Sequence, residues 1–233
     1  YRKGRHGVRS GKGFYAESYK NKLKRELVLA VRGTDFEAQD WGDFFANIQI
    51  GMGKVPYQFE DAEKAFLEAK ESVGSSFDIW LTGHSLGGAV ATLLAALQRE
   101  ALPVVTFNSP GMQKTIVDCQ CADKDGECGH VDSIDLSRFL HVRASGDLVS
   151  TVTGPHLGRV EVVFVDQWGD GKVLGASRHL AQHSIDNMVA CLKSEPWSHR
   201  DLEISASPGQ KPLSPRWPPP RCSDSERRRP GCG

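Results

Sequence analysis

The segment Phe77-Asp78-Ile79-Trp80-Leu81-Thr82-Gly83-His84-Ser85-Leu86-Gly87-Gly88-Ala89-Val90-Ala91 constrains this chain more than any other. An apolar run ends at a glycine, passes through one serine, and continues into a stretch that is apolar nearly all round from Leu86 to Gln98. That order describes a buried strand, a tight turn and a helix packed against a sheet. The turn lifts the serine hydroxyl off the sheet edge. It strains the backbone at Ser85, so its flanks must be very small, and Gly83, Gly87 and Gly88 meet that need. The hydroxyl then sits at a helix N-terminus, where backbone N–H groups and the helix dipole favour negative charge. The same letters can mark a glycine-rich turn with an incidental serine. The strand before, the buried helix after and His84 within the turn favour a nucleophile at Ser85.

The rest of the chain follows the same alternation. Gly13–Tyr19 and Glu26–Val31 read as a hairpin around a polar link, and Phe77–Thr82, Leu102–Phe107, Phe139–Val142 and Val160–Val165 as further strands. Phe59–Val73 places Phe59, Ala62, Phe66, Ala69 and Val73 at the period of a one-sided helix, and Leu180–Leu192 reads as the last helix. Strands interleaved with helices predict an α/β protein with a mostly parallel central sheet flanked by helices.

A folded domain is expected over residues 1–198, interrupted near 111–137 by a Cys-rich insert whose stretch Cys119–His130 reads as a loop. Residues 199–233, dense in Pro, Ser and Arg, read as a disordered tail. An apolar fraction of 39% over 233 residues is enough for one core. With 29 basic and 29 acidic residues there is no global field to attract nucleic acid. Nine of the first 25 residues are Lys or Arg, which reads as a solvated basic terminus or as attraction to anionic headgroups. No apolar run spans a membrane and no secretory signal pattern is present; with six cysteines permitting either redox state, secreted and cytoplasmic settings both stand.

A serine nucleophile needs a base within hydrogen-bond reach and an acid to orient that base. In folds of this kind the acid follows the nucleophile and the base comes last. Asp147 stands where an apolar strand has just ended, in Ser145-Gly146-Asp147. Asp132 and Asp135 precede that strand, and Asp166 follows a later one. The base must come from His156, His179, His183 or His199, and a loop entering the final helix favours His179 or His183.

At this point the series of motifs resembles the class 3 lipases, the fungal-type triacylglycerol lipases and related phospholipases. The likeness covers roughly residues 13–192. It runs through Leu29-Ala30-Val31-Arg32-Gly33-Thr34, Asp40-Trp41, the Gly83–Ala89 turn, Thr106-Phe107-Asn108-Ser109-Pro110, Gly146-Asp147-Leu148-Val149 and His183-Ser184-Ile185-Asp186. The resemblance implies an α/β-hydrolase fold and a serine carboxylic ester hydrolase acting on acylglycerols or phospholipids, with an acyltransferase on the same scaffold or a catalytically silent lipid- or partner-binding protein as the alternatives. It implies Ser85 as nucleophile, Asp147 as acid and His183 as base. The backbone and hydroxyl of Thr34 and the N–H of Leu86 would form the oxyanion hole, with no cofactor. Val55-Pro56-Tyr57-Gln58-Phe59 departs from the family's usual His-x-Gly-Phe stretch, and Leu148-Val149-Ser150 lacks the proline common after the acid.

Between Thr34 and the first helix, Trp41, Phe44, Phe45 and Ile48 fall at helical spacing opposite Asp40, Asp43 and Asn47. This reads as a lid or as a lipid-contacting face, and equally as core packing. Cys119, Cys121, Cys128 and His130 hold soft-metal residue types, but C-x-C-x6-C-x-H is not a usual zinc spacing. A disulfide or free thiols are the expectation there, with no metal.

Overall fold

A computed structural model describes residues 2–9, 14–33, 55–98, 102–121, 134–163 and 182–193, with backbone alone for residues 2–9, 119–121 and 190–191. Seven strands form one sheet in sequential order. They are β1 (Arg2–Arg9), β2 (Tyr15–Asn21), β3 (Glu26–Val31), β4 (Asp78–His84), β5 (Val104–Phe107), β6 (Phe139–Ala144) and β7 (Arg159–Val163). β1, β2 and β3 pair antiparallel, and every pair from β3 to β7 is parallel. The helices are α1 (Phe59–Val73), α2 (Leu86–Leu97), α3 (Gln113–Cys121), α4 (Leu148–Val152) and α5 (Ile185–Lys193). The mostly parallel α/β sheet expected from the alternation is the one observed.

The first three parallel pairs are joined by α1, α2 and α3, with α1 and α3 both packing on α2, and the fourth is joined through the short α4. α2 is the central piece: ten of its residues, Gly87 through Ala96, are buried. It lies across β3, β4 and β5, which explains why it is apolar all round. α1 is one-sided and buries Ala62, Ala65, Phe66 and Ala69. Removing a ring such as that of Phe66 from such a core typically costs about 3–5 kcal/mol. A second, smaller cluster of Val142, Ala144, Val163 and Met188 packs α5 onto β6 and β7.

One strand is added to the expected set and two element bounds move. The basic terminus contains strand β1, which pairs with β2 through its backbone across an irregularity between Lys3 and Gly7. The segment read as a loop from Cys119 begins inside α3, which runs to Cys121. The last helix starts at Ile185, and Gln182 and His183 belong to a separate helical stretch just ahead of it, parted from it by Ser184. Among the described residues no helix is long and apolar enough to cross a membrane.

Candidate active site

Ser85 follows directly on β4 and precedes α2, with φ 55° and ψ −130°. A non-glycine residue with positive φ is strained, and it stays there because the surroundings leave no other path. The glycines explain how. A Cβ on Gly83 would stand 2.4 Å from the Gly87 carbonyl group, and one on Gly87 only 2.3 Å from the Val31 carbonyl oxygen. Backbone thus packs on backbone across the turn, and α2 begins in contact with the end of β3. The Gly88 and Ala89 N–H groups both donate to the Ser85 carbonyl, at 2.9 and 3.2 Å. Leu86 opens the helix, so its N–H is among the first-turn donors with no intrahelical acceptor.

Asp147 lies in the loop at the carboxyl end of β6 and caps α4. Its side chain accepts from Val149 N at 3.3 Å and Ser150 N at 2.9 Å. The carboxylate is fully buried. A buried charge must be paired and hydrogen-bonded, and besides the cap its second partner is His183. The imidazole Nδ1 stands 2.7 Å from Asp147 Oδ1, and Nε2 stands 2.8 Å from Ser85 Oγ. The carboxylate can only accept, so Nδ1 carries the proton and donates. Nε2 is then the acceptor for the serine hydroxyl. The structure therefore brings Ser85, Asp147 and His183 together in one chain of hydrogen bonds.

The alternatives fall elsewhere. His156 Nε2 donates to the Ser109 carbonyl at 2.9 Å, and its ring lies 4.8 Å from that of His141. Asp135 caps the short helical turn Leu136–Arg138 ahead of β6. Thr34, the stretch Trp41, Phe44, Phe45 and Ile48, the residues Asp132, Asp166, His179 and His199, and the cysteine-rich positions Cys128 and His130 lie outside the described residues. So does the tail, 199–233. The side chains of Cys119 and Cys121 are likewise undescribed.

Two residues that the motif reading did not assign to the site hold the segment of His183 in place. His84 Nε2 donates to the His183 carbonyl at 2.6 Å, with the two rings 4.8 Å apart. Burial, then the neighbouring His183, pushes the His84 pKa down to about 4, so near neutral pH the ring is an uncharged donor. Asn108, at the end of β5, donates from Nδ2 to the Gln182 carbonyl at 2.8 Å. Both lie within quoted motifs, but partners 99 and 74 residues away leave no mark in local spacing.

Residues 3–186 match the phospholipase-like family described as the Tle-like phospholipase domain. The chain belongs to that family. The kinship with class 3 lipases expected from the motifs holds with it. The secreted mono- and diacylglycerol lipase 1 of Fusarium solani is 33% identical over 118 residues, which is 45% of this chain and 35% of that protein. The chain thus spans about a third of that relative's length. Among solved structures, the Lip2 lipase of Yarrowia lipolytica matches with a TM-score of 0.44 and 17% identity, over 70% of this chain and 64% of that one. The Rhizomucor miehei lipase in its propeptide complex matches at 0.42 and 16%, over 64% and 52%.

Proposed function

We propose that this chain is a lipase, a carboxylic ester hydrolase that cleaves acylglycerol ester bonds through an acyl-enzyme on Ser85. The observation that carries the proposal is the unbroken path Asp147–His183–Ser85 at 2.7 and 2.8 Å. His183 Nε2 takes the hydroxyl proton as Oγ attacks the ester carbonyl, and Asp147 stabilises the imidazolium that forms. The negative oxygen of the tetrahedral intermediate is met by the Leu86 N–H at the start of α2 and by Thr34. One such donor is typically worth about 3–4 kcal/mol of barrier. His183 then returns the proton to the departing alkoxide. Water, deprotonated by the same histidine, releases the fatty acid and restores Ser85. No cofactor enters this sequence.

The name of the Fusarium relative favours mono- and diacylglycerols as substrates. The family's description as phospholipase-like supports a second reading, a phospholipase A that differs in the headgroup it admits. The aromatic stretch Trp41, Phe44, Phe45 and Ile48 is read as its lipid-facing element on helical spacing alone.

Labelling with a fluorophosphonate probe tests the chemistry. The wild-type chain should label and Ser85→Ala should not; an unlabelled wild-type protein counts against the whole reading. Hydrolysis of tri-, di- and monoacylglycerol against phosphatidylcholine then separates the two substrate classes.

A further inference from the structure

We infer that Asn108 is a positioning residue for the triad, tying the segment that carries the base to the strand that delivers the acid. The inference rests on the triad reading above and names a residue outside it. Asn108 directly follows β5, the strand between the one that precedes Ser85 and the one that precedes Asp147. The Phe107 carbonyl accepts from the Ser85 N–H at 3.0 Å, and the Asn108 N–H donates to the Val142 carbonyl at 2.9 Å. The dipeptide therefore already holds the backbone on either side of it.

The side chain adds what the backbone cannot. Asn108 Oδ1 accepts from the Ala144 N–H at 2.8 Å, and Nδ2 donates to the Gln182 carbonyl at 2.8 Å. A peptide N–H can only donate and a peptide carbonyl can only accept, so the amide's orientation is dictated by its partners. Ala144 also accepts the Asp147 N–H through its own carbonyl, at 3.1 Å. One end of the amide thus fixes the turn into the acid, and the other fixes the residue just before the base. His84 holds the next carbonyl along, that of His183.

Size and chemistry leave little choice at this position. Aspartate offers acceptors only, and serine is a single short hydroxyl. Asn108 is completely buried and has φ 45°. A left-handed backbone there suits glycine better than any other residue, but glycine would supply neither bond. A strained non-glycine residue is retained where its side chain is needed. Reacting groups displaced by about 1 Å can lose on the order of 100-fold in rate, and Asn108 spans the two segments whose separation sets the 2.7 Å bond between acid and base.

The test is Asn108→Gly, which relieves the backbone and removes both bonds, assayed on a soluble p-nitrophenyl ester. Asn108→Asp, equal in size and still able to accept from Ala144, carries the same test if the glycine variant does not fold. Thermal unfolding identifies folded protein. The expected result is a folded variant whose kcat falls roughly 10- to 100-fold with KM within about threefold, and whose fluorophosphonate labelling slows in step. A folded variant with wild-type kcat and labelling rate overturns the inference, as does a rise in KM at constant kcat. Wild-type protein that does not label at Ser85 overturns instead the triad reading on which the inference stands.

Discussion

The turn around Ser85 and the segment around His183 meet at a 2.8 Å hydrogen bond, yet they are held by opposite means. The serine turn is self-supporting. Its geometry comes from the small residues Gly83 and Gly87, whose backbones touch each other and the end of β3, and from a helix that starts at once. The segment Gln182–His183 has no such local logic. It hangs from His84 and Asn108 through two consecutive carbonyls, those of His183 and Gln182. One half of the site is built by close packing of backbone on backbone, the other by polar side-chain tethers. The first kind of construction tolerates almost no added atom; the second tolerates atoms but not lost donors.

Asp147 belongs to both halves and should show the largest effect. Its two oxygens cap α4 and orient the His183 ring at the same time. In Asp147→Asn one oxygen becomes an amide, which can still cap the helix but must present a donor to one of its former donors. Cap residues of both types serve well, so stability should fall by only about 1 kcal/mol. By contrast kcat should fall by about 10^4, as expected when the imidazole is left in the wrong tautomer. Urea unfolding and initial rates on one ester measure the two numbers, and a loss of stability with little loss of kcat would contradict the assignment.

Acid should act on the tethers and spare the turn. His84, His141 and His156 are all lowered by burial, and each donates to a backbone carbonyl, of His183, Leu157 and Ser109 respectively. His141 is pushed down to about 3, with His156 beside it and the Thr106 hydroxyl on its other nitrogen. Because the folded values lie below the ordinary 6.5, the unfolded chain binds more protons between these values and pH 6.5. Stability is therefore constant from these groups above about pH 7 and falls as pH drops from 6.5 toward 4. Each proton taken up on unfolding contributes about 1.4 kcal/mol per pH unit. His141→Gln, which keeps a donor toward Leu157, should flatten that dependence by about one proton in urea unfolding at pH 4.5 to 6.5. An unchanged slope would show that His141 is not buried neutral.

The same division explains what could be read from the residues. β3 and α1 carry their periods locally and were expected at Glu26–Val31 and Phe59–Val73, the bounds observed. The strand, turn and helix around Ser85 were legible for the same reason. β1 was not, because Arg2–Arg9 has almost no apolar pattern and pairs through its backbone. His183 was chosen over His179 from the family resemblance, not from spacing. Asn108 was legible only as a letter in a motif. The residue type held one clue, since asparagine tolerates positive φ better than most, but partners 36 and 74 residues away cannot be seen in one sequence.

Adding a single methyl to the turn is the converse experiment. In Gly87→Ala the new Cβ would face the Val31 carbonyl oxygen at 2.3 Å and the Arg32 carbonyl carbon at 2.6 Å. Neither is a side chain that can swing away, so α2 or the end of β3 must move. Overpacking of this kind costs about 1–3 kcal/mol, and the shift should be felt at Ser85 as slower labelling. Unfolding and labelling measured together would reveal a turn looser than described if both stayed at wild-type values.

The smallest effect should come from removing one tether and leaving the other. Among the described residues His84 holds the His183 carbonyl alone, whereas Asn108 holds both Gln182 and Ala144, so a His84 variant keeps the bond to Gln182. His84→Leu removes that donor, and the loss of one hydrogen bond is typically worth about 0.5–1.5 kcal/mol. Part of that falls on folding and part on the placement of the ring, so kcat should drop about 10-fold. His84→Gln retains an N–H at nearly the distance of Nε2 and should recover most of the difference, to within about threefold of wild type. Recovery by glutamine and not by leucine identifies the hydrogen bond as the working part of His84. Equal rates for the two variants would instead assign the residue to packing against the His183 ring, and would shift the hold on the segment Gln182–His183 to Asn108.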